Sequence, residues 1–228
     1  MSPTGTKQIR QTRMTSLFLL GGKTFSWDDL TPFFLSKGTE RTCFINPVNE
    51  GQVLKVSLRK QAKQTFREVR YFRYLIKKKV PFTHIPIFYE TIKNDEYEGF
   101  LQQAVRNKDG SLSIDLNAYC KEGGIVPKEE LARFFYYFYR YNILPCDLNA
   151  FNIFAQETAE GVRLILIDGL GCTDFFPLAQ YWPWWGRRKI IRKFIRFLQK
   201  DAFLQKQFSG KNEIKKWTLQ LTKTKNPA

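Results

Sequence analysis

The sequence is poor in metal-binding residues and has no long apolar run. It contains one histidine and four scattered cysteines without C-x-x-C spacing, so a Cys/His zinc site has almost no ligands to draw on. Free thiols in a reducing cytosol are the plain interpretation. No stretch reaches the ~20 apolar residues of a membrane-spanning helix, and the run at 17–20 is too short for a secretory leader. We therefore expect a cytoplasmic protein, soluble or peripheral at the inner membrane. The cysteines are Cys43, Cys120, Cys146 and Cys172.

Acidic residues are also scarce, with 21 Asp and Glu against 37 Lys and Arg and a net charge of +16. This excess favours anionic partners, namely nucleotides, nucleic acid or an anionic membrane face, without choosing among them. No helix-turn-helix, zinc-finger or RNP motif appears, so nucleic acid is the partner that we expect least. The 228 residues suit one large domain or two small lobes, and 43% hydrophobic residues are enough to build a core.

Hydrophobic periodicity predicts an antiparallel sheet with one inserted helix in the first half of the chain. A turn at 107–110 then marks a plausible boundary, and an aromatic-rich, buried helix, two strands and a basic helical segment follow it. The predicted helices are 61–78, 128–141 and 184 to about 208, and the predicted strands include 52–58, 85–91, 98–105, 152–156 and 162–167.

An Asp, four residues and an Asn precede an apolar strand that ends in a second Asp. These residues are Asp147, Asn152 and Asp168. The first Asp can accept a proton from a hydroxyl group, while the Asn amide and the second carboxylate can hold Mg²⁺ against nucleotide phosphates. The alternative is a polar turn between a helix and a strand, where Asn and Asp are common.

Lys55 lies within an apolar strand, and Glu68 is the only acidic residue between Glu50 and Glu90. The functional interpretation is a lysine that binds nucleotide phosphates and is oriented by a helix glutamate. The alternatives are an edge lysine facing water and a solvated helix pair. The segment that begins at Gly38 occupies the place of a phosphate-covering loop, but it contains only one of the glycines usual in such a loop. The alternative is therefore an ordinary hairpin.

Two further features have a structural and a functional interpretation. His84 is the single histidine, and we expect it to be packed or capping rather than catalytic. The segment 181–189 combines aromatic and basic residues ahead of an amphipathic helix. That helix either packs its apolar side on the core or lies on an anionic membrane, and we favour packing.

Several motifs resemble the protein-kinase-like superfamily and, more narrowly, the YrbL family of the PhoP regulatory network. The resemblance covers about Leu35 to Leu204. It implies an α+β, bilobal protein-kinase-like fold with an antiparallel β N-lobe and a trimmed, mostly helical C-lobe. The implied domains are an N-terminal extension (1–34), an N-lobe (35–106), a C-lobe (107–208) and a C-terminal tail (209–228). The motifs are Gly-Thr-x-Arg before Cys43, the Lys55 strand, His84-Ile85-Pro86, Asn152-Ile153, and Asp168 with a glycine three residues later.

The resemblance also implies a role for each matching residue, with ATP and Mg²⁺ as cofactors. The nucleotide-binding residues would be Gly38 in the covering loop, Lys55 at the phosphates, Glu68 holding Lys55, and Gln103 to Val105 near the adenine. Asp147 would be the catalytic base, with Asn149 beside it in the catalytic loop, and Asn152 and Asp168 would be the magnesium ligands.

Departures from the superfamily pattern narrow the expected activity. Leu144-Pro145-Cys146 replaces the usual His-Arg, Asn149 replaces a lysine, and Gly169-Leu170 replaces Phe-Gly. The chain therefore resembles sugar and lipopolysaccharide-core kinases more than signalling kinases. We expect an ATP- and Mg²⁺-dependent phosphotransferase acting on a hydroxyl of a small molecule or envelope glycolipid, with an anionic membrane as a further contact. The alternative is a non-catalytic, kinase-like regulatory protein (a pseudokinase) linked to envelope stress or PhoP-type regulation.

Overall fold

A short hairpin and a capped helical turn precede the main sheet in the computed structural model, which describes residues 17–171 and 178–223. The hairpin pairs β1 (Phe18–Leu20) with β2 (Lys23–Phe25). The turn α1 (Trp27–Leu30) begins with a capping box, in which Ser26 and Asp29 exchange hydrogen bonds of 2.8 and 3.2 Å. Such a box satisfies amide groups that a helix start leaves unpaired.

Five antiparallel strands form the main sheet in the order β3-β4-β5-β7-β6. Helix α2 (Lys63–Lys77) connects β5 to β6. The helix predicted over 61–78 and the strands predicted at 85–91 and 98–105 are thereby confirmed, with bounds shifted by a few residues. The strands are β3 (Phe34–Lys37), β4 (Arg41–Asn46), β5 (Asn49–Leu58), β6 (Phe88–Lys93) and β7 (Tyr97–Gln103).

The two faces of this sheet have different coverings because side chains alternate along each strand. One face presents Phe44, Leu54 and Leu101 to the N-terminal segment, whose Phe18 and Leu30 are buried against it. The opposite face packs on α2, where the rings of Phe72 and Phe100 lie 5.9 Å apart. The segment 17–33 thus belongs to the core of the sheet.

A three-stranded sheet and five helices form the rest of the described chain. Helix α4 matches the predicted helix 128–141 and ends where Asn142 adopts a left-handed conformation, with φ of 52°, a common helix C-cap. The sheet order is β10-β9-β8. The elements are β8 (Ile114–Asp115), α3 (Leu116–Lys121), α4 (Lys128–Tyr141), β9 (Ile153–Thr158), β10 (Gly161–Leu166), α5 (Leu178–Tyr181), α6 (Pro183–Lys200) and α7 (Lys211–Leu221).

The basic helical segment is shorter than the predicted 184–208. Helix α6 ends at Lys200 because the backbone is extended at Asp201. The Asp201 carboxylate then accepts hydrogen bonds from the amides of Phe203 and Leu204, at 3.0 and 2.8 Å. The apolar side of helix α6 is buried, which confirms that this side of the helix packs in the core. Its buried residues include Ile190, Phe194, Phe197 and Leu198.

The chain divides into two compact units. The first runs from the start of the described residues to Lys78 and takes in Ile87–Ala104. The second comprises Lys79–Pro86 and continues from Val105 through the rest of the described chain.

Candidate functional site

The loop that carries Asp147 is paired with the segment that follows β10 in the second unit. The Cys146 amide donates to the Gly169 carbonyl at 2.6 Å, and the Gly171 amide donates to the Leu144 carbonyl at 3.0 Å. Gly169 has φ of 76°, and a Cβ there would lie 2.9 Å from the Asp147 carbonyl oxygen. Only glycine fits both the backbone conformation and this approach. The chain thereby holds Asp168, which precedes this glycine, next to the Asp147 loop.

Asn152 is fixed to Asp147 by two hydrogen bonds from the same amide nitrogen. Its Nδ2 donates to the Asp147 carboxylate at 2.9 Å and to the Asp147 carbonyl at 3.1 Å. Asn149 supports this arrangement, because its Oδ1 accepts from the amides of Phe151 and Asn152 and so caps the short 3₁₀ turn 150–152. The structure therefore brings Asp147, Asn149 and Asn152 together, with Asn149 acting as a positioning residue.

The donor atoms of Asn152 and Asp168 are of the type that binds a magnesium ion together with a phosphate ligand. The Asn152 nitrogen faces Asp147, so its oxygen is the atom of that side chain that can bind a cation. Asp168 is half-buried, and its Oδ1 accepts from the Gly169 amide at 2.5 Å. Residues 17–171 and 178–223 contain no cluster of three or more His, Cys, Asp or Glu suited to a metal. Mg²⁺ commonly uses one or two carboxylates plus substrate phosphates and water, so the small donor set is compatible with it.

Lys55 and Glu68 lie in the first unit, Lys55 on the sheet face that packs on α2 and Glu68 within α2. Both are buried, at 4% and 3% exposed. The Glu68 carboxylate forms an ion pair with Arg41, a buried residue at the start of β4. The Lys55 ammonium and the Arg41 guanidinium each lie 5.9 Å from the centroid of the Phe100 ring. Arg41 belongs to the Gly-Thr-x-Arg motif, but the sequence alone assigns it no role. Its position on the same sheet face as Lys55 follows from the strand register, which pairs Arg41 with Ser57.

The segment around Gly38 is tied to helix α2 by the residue next to Arg41. Glu40 accepts hydrogen bonds from the amides of Gln64 and Thr65, each at 3.0 Å. A carboxylate at the first turn of a helix satisfies unpaired amides and complements the helix dipole. Gly38 itself closes the β3–β4 hairpin, since its amide donates to the Arg41 carbonyl at 2.8 Å.

Gln103 and Val105, predicted to lie near an adenine, sit at the end of β7 and just beyond it. In the first unit, the Gln103 amide donates to the Ile87 carbonyl at 2.8 Å. In the second unit, the Val105 carbonyl accepts from the Ser113 amide at 2.9 Å. Each of these two residues is therefore held by a backbone hydrogen bond within its own unit.

His84 is buried in the second unit, which confirms that it is packed rather than solvent-facing. Its Nδ1 lies 2.8 Å from the Leu164 carbonyl and 3.7 Å from the Glu130 carboxylate. Burial lowers the pKa of His84 to about 4, so the ring is neutral at pH 7 and donates through Nδ1–H. Burial raises the pKa of Glu130, although it accepts hydrogen bonds from the Leu164 amide and from Arg133.

A cavity of about 460 Å³ lies beside Asp147 and is lined on one side by helix α6. Three basic residues of α6 line it, namely Lys193, Arg196 and Lys200. Sequence analysis treated these residues as part of a charged helix face. Their spacing of three and four residues places them on one side of a helix, but only the fold places that side next to Asp147.

Comparison with known protein families shows the family of this chain. The model of the family described as PhoP regulatory network protein YrbL matches residues 31–202. The chain belongs to the YrbL family. The uncharacterised YrbL proteins of Escherichia coli (strain K12) and Shigella flexneri are each 25% identical to it over 177 residues, covering 74% of this chain and 84% of theirs.

Comparison with solved structures shows the fold. A crystal structure of the protein kinase Rad53, residues 1–466 in complex with AMP-PNP, matches with a TM-score of 0.52 and 13% identity. The match covers 94% of this chain, which spans 56% of that solved chain. The α+β, protein-kinase-like fold expected from the sequence is therefore confirmed. Among the helices of the described residues, none is long and apolar enough to span a bilayer.

Proposed function

We propose that this YrbL-family chain is an ATP- and Mg²⁺-dependent phosphotransferase whose acceptor is a hydroxyl group of a small molecule or an envelope glycolipid. The observation that supports it most is the Asp147–Asn152 pair, held beside the Asp168 segment by Gly169. A kinase-like fold with this local arrangement suits phosphoryl transfer, which depends mainly on positioning and electrostatic stabilisation. The match to Rad53 in complex with AMP-PNP supports a nucleotide ligand.

In this proposal each side chain has one task. Asp147, which is exposed, accepts the proton of the acceptor hydroxyl, and Asn152 fixes the orientation of its carboxylate. Asn152 Oδ1 and Asp168 hold Mg²⁺, which when bound neutralises charge on the phosphate oxygens. Lys55 binds phosphate oxygens, while Gly38, Gln103 and Val105 contact the nucleotide.

Nucleotide binding is tested by thermal shift, which requires no acceptor. We expect ATP with Mg²⁺ to stabilise the protein by about 2.7 kcal/mol at a hundredfold excess over Kd. The Lys55→Met protein should lose most of this stabilisation. The Asp168→Asn protein should lose the additional stabilisation that Mg²⁺ gives over ATP alone. Lys93→Met removes the same charge at an exposed strand end and serves as the matched control. Equal stabilisation of wild type and Lys55→Met would remove Lys55 from the nucleotide site.

The rival proposal is a non-catalytic regulatory protein acting in PhoP-type or envelope-stress control. One feature of the sequence favours it, because Leu144-Pro145-Cys146 replaces the His-Arg and Gly169-Leu170 replaces the Phe-Gly that active protein kinases carry at these places. The family description, PhoP regulatory network protein, is compatible with a regulatory role. Absence of any stabilisation by millimolar ATP with Mg²⁺ would favour this rival.

Peripheral contact with the inner membrane from the cytoplasm is a further part of the proposal. The indole rings of Trp182, Trp184 and Trp185 are 60%, 61% and 51% exposed at the start of α6. Exposed tryptophan beside lysine and arginine is typical of surfaces that bind anionic bilayers. Vesicles of anionic lipid should therefore retain the protein.

A further inference from the structure

The cavity beside Asp147 lies in the second unit. The loop contributes Asp147 and Asn149, helix α6 contributes one wall, and Asn117 of α3 and residues 201–202 also line it. Its volume of about 460 Å³ falls within the range of pockets that hold small molecules. A hydroxyl compound bound in this cavity would lie against the carboxylate that the proposed function makes the base.

The charges lining the cavity are unevenly distributed. Lys193, Arg196 and Lys200 line it, and helix α6 contains no acidic residue over Pro183–Lys200. The two carboxylates in the lining are those of Asp147 and Asp201. Asp201 is engaged by two backbone amides beyond α6, which stabilise its negative charge within the chain. The helical wall of the cavity is therefore cationic.

The three cations differ in what holds them. Lys193 is half-buried, and its ammonium donates to the Cys146 carbonyl at 2.7 Å, which ties α6 to the residue before Asp147. Arg196 and Lys200 are exposed and lie one turn apart on the same helix. Long cationic side chains in this position can converge on one anionic group.

We propose that this cavity binds the acceptor and that the acceptor carries a phosphate or carboxylate group, held by Arg196 and Lys200. Lys193 acts as a positioning residue that keeps the Asp147 loop against the helix. The proposal rests on the proposed function for the identity of the ligand as acceptor. The cationic wall disfavours a neutral sugar as the preferred ligand, because a neutral compound gains nothing from the two charges.

Calorimetric titration of the full chain with matched sugars tests this site without turnover. The probes are glucose, glucose 6-phosphate and glucuronate. They differ at carbon 6, which carries a neutral hydroxyl group, a phosphate or a carboxylate. We expect one or both anionic probes to bind, and glucose to bind at least roughly fivefold more weakly. Lys200→Gln and Arg196→Gln should each weaken the anionic probe by roughly fivefold, the upper range for an exposed ion pair.

Arg192→Gln is the matched control, since it removes the same charge from α6 at a position that lines a different cavity. It should leave binding unchanged. Three outcomes would overturn the proposal: no binding of either anionic probe at millimolar concentration, equal binding of glucose, or equal weakening by Arg192→Gln.

Failure of this site is distinguishable from failure of the proposed function. Lys55→Met should leave the anionic sugar titration unchanged while removing stabilisation by ATP. If ATP with Mg²⁺ gives no stabilisation but the sugar titration still depends on Lys200, the anion site stands and the phosphotransferase proposal falls. If ATP stabilises the wild type but no anionic probe binds, the phosphotransferase proposal stands and the anion site falls.

Discussion

At the scale of single residues, the second unit contains a buried histidine–glutamate pair outside the proposed chemistry. His84 is buried with its Nδ1–H on the Leu164 carbonyl, and the Glu130 carboxylate lies beside it. Arg133 and Arg163 are close enough to oppose protonation of the ring. Burial makes the protonated form costly, and the buried ring therefore links stability to pH.

We expect the stability of the wild type to fall as pH drops from about 6.5 to about 4. The unfolded histidine titrates near 6.5 and the folded one at about 4, so in this window the unfolded chain binds more protons. The contribution of His84 to this loss should approach about 3 kcal/mol. His84→Asn keeps an amide donor for the Leu164 carbonyl without titrating, so its stability should depend less on pH over this window.

Chemical denaturation at a series of pH values measures the difference between the two proteins. The raised pKa of Glu130 acts in the opposite direction, stabilising the fold on acidification. Because Glu130 is present in both proteins, the difference between them reports mainly on His84. If the free energy of unfolding of wild type and of His84→Asn depends on pH in the same way, the pKa of His84 is not lowered in the folded protein.

The site residues that could be predicted from the sequence lie close together along the chain, whereas Arg41, which was not predicted, lies far from its partner. Asp147 and Asn152 lie five residues apart. A single hairpin, formed by β9 and β10, separates Asn152 from Asp168, so their spacing along the chain indicated the local arrangement. Arg41 is 27 residues from Glu68, and its place depends on strand register and on the packing of α2. Pairing of that kind has no local sequence signal.

At the scale of elements, helix α6 combines two surfaces. Its apolar side is buried in the second unit, and its basic side lines the cavity beside Asp147. Its length was overestimated, because Asp201 ends it by capping the following turn. Periodicity predicted the amphipathic helix, but the partner of each face depends on long-range packing that periodicity does not encode.

The exposed tryptophans at the start of α6 should govern membrane contact. We expect the protein to sediment with phosphatidylglycerol vesicles and much less with phosphatidylcholine vesicles, because basic residues near an anionic surface contribute about 1 kcal/mol each. Trp184→Ala with Trp185→Ala should reduce this binding, while Ile125→Ala, which alters a side chain that is 77% exposed elsewhere, should not. Equal sedimentation with both lipids, or none with either, would reject membrane contact.

At the scale of the whole molecule, the family and the kinase-like fold are established by comparison, while the reaction is a proposal. The fold was predictable because helix and strand periods, turn residues and the order of the motifs all agreed. The described N-terminal segment was predicted as part of an extension, yet its Phe18, Leu20 and Leu30 are buried in the core of the sheet. The sequence of a short apolar segment does not indicate against which part of the protein that segment will pack.

The most direct test of phosphoryl transfer is the rate of ADP formation from ATP and Mg²⁺ with a panel of neutral and anionic envelope sugars. We expect at least one sugar to stimulate ADP formation by the wild type. Asp147→Ala should lower that rate by about 10²–10⁴-fold, the usual contribution of a general base, while keeping ATP-induced stabilisation. An Asp147→Ala protein that binds ATP and forms ADP as fast as the wild type would contradict the account, as would a wild type that no sugar stimulates.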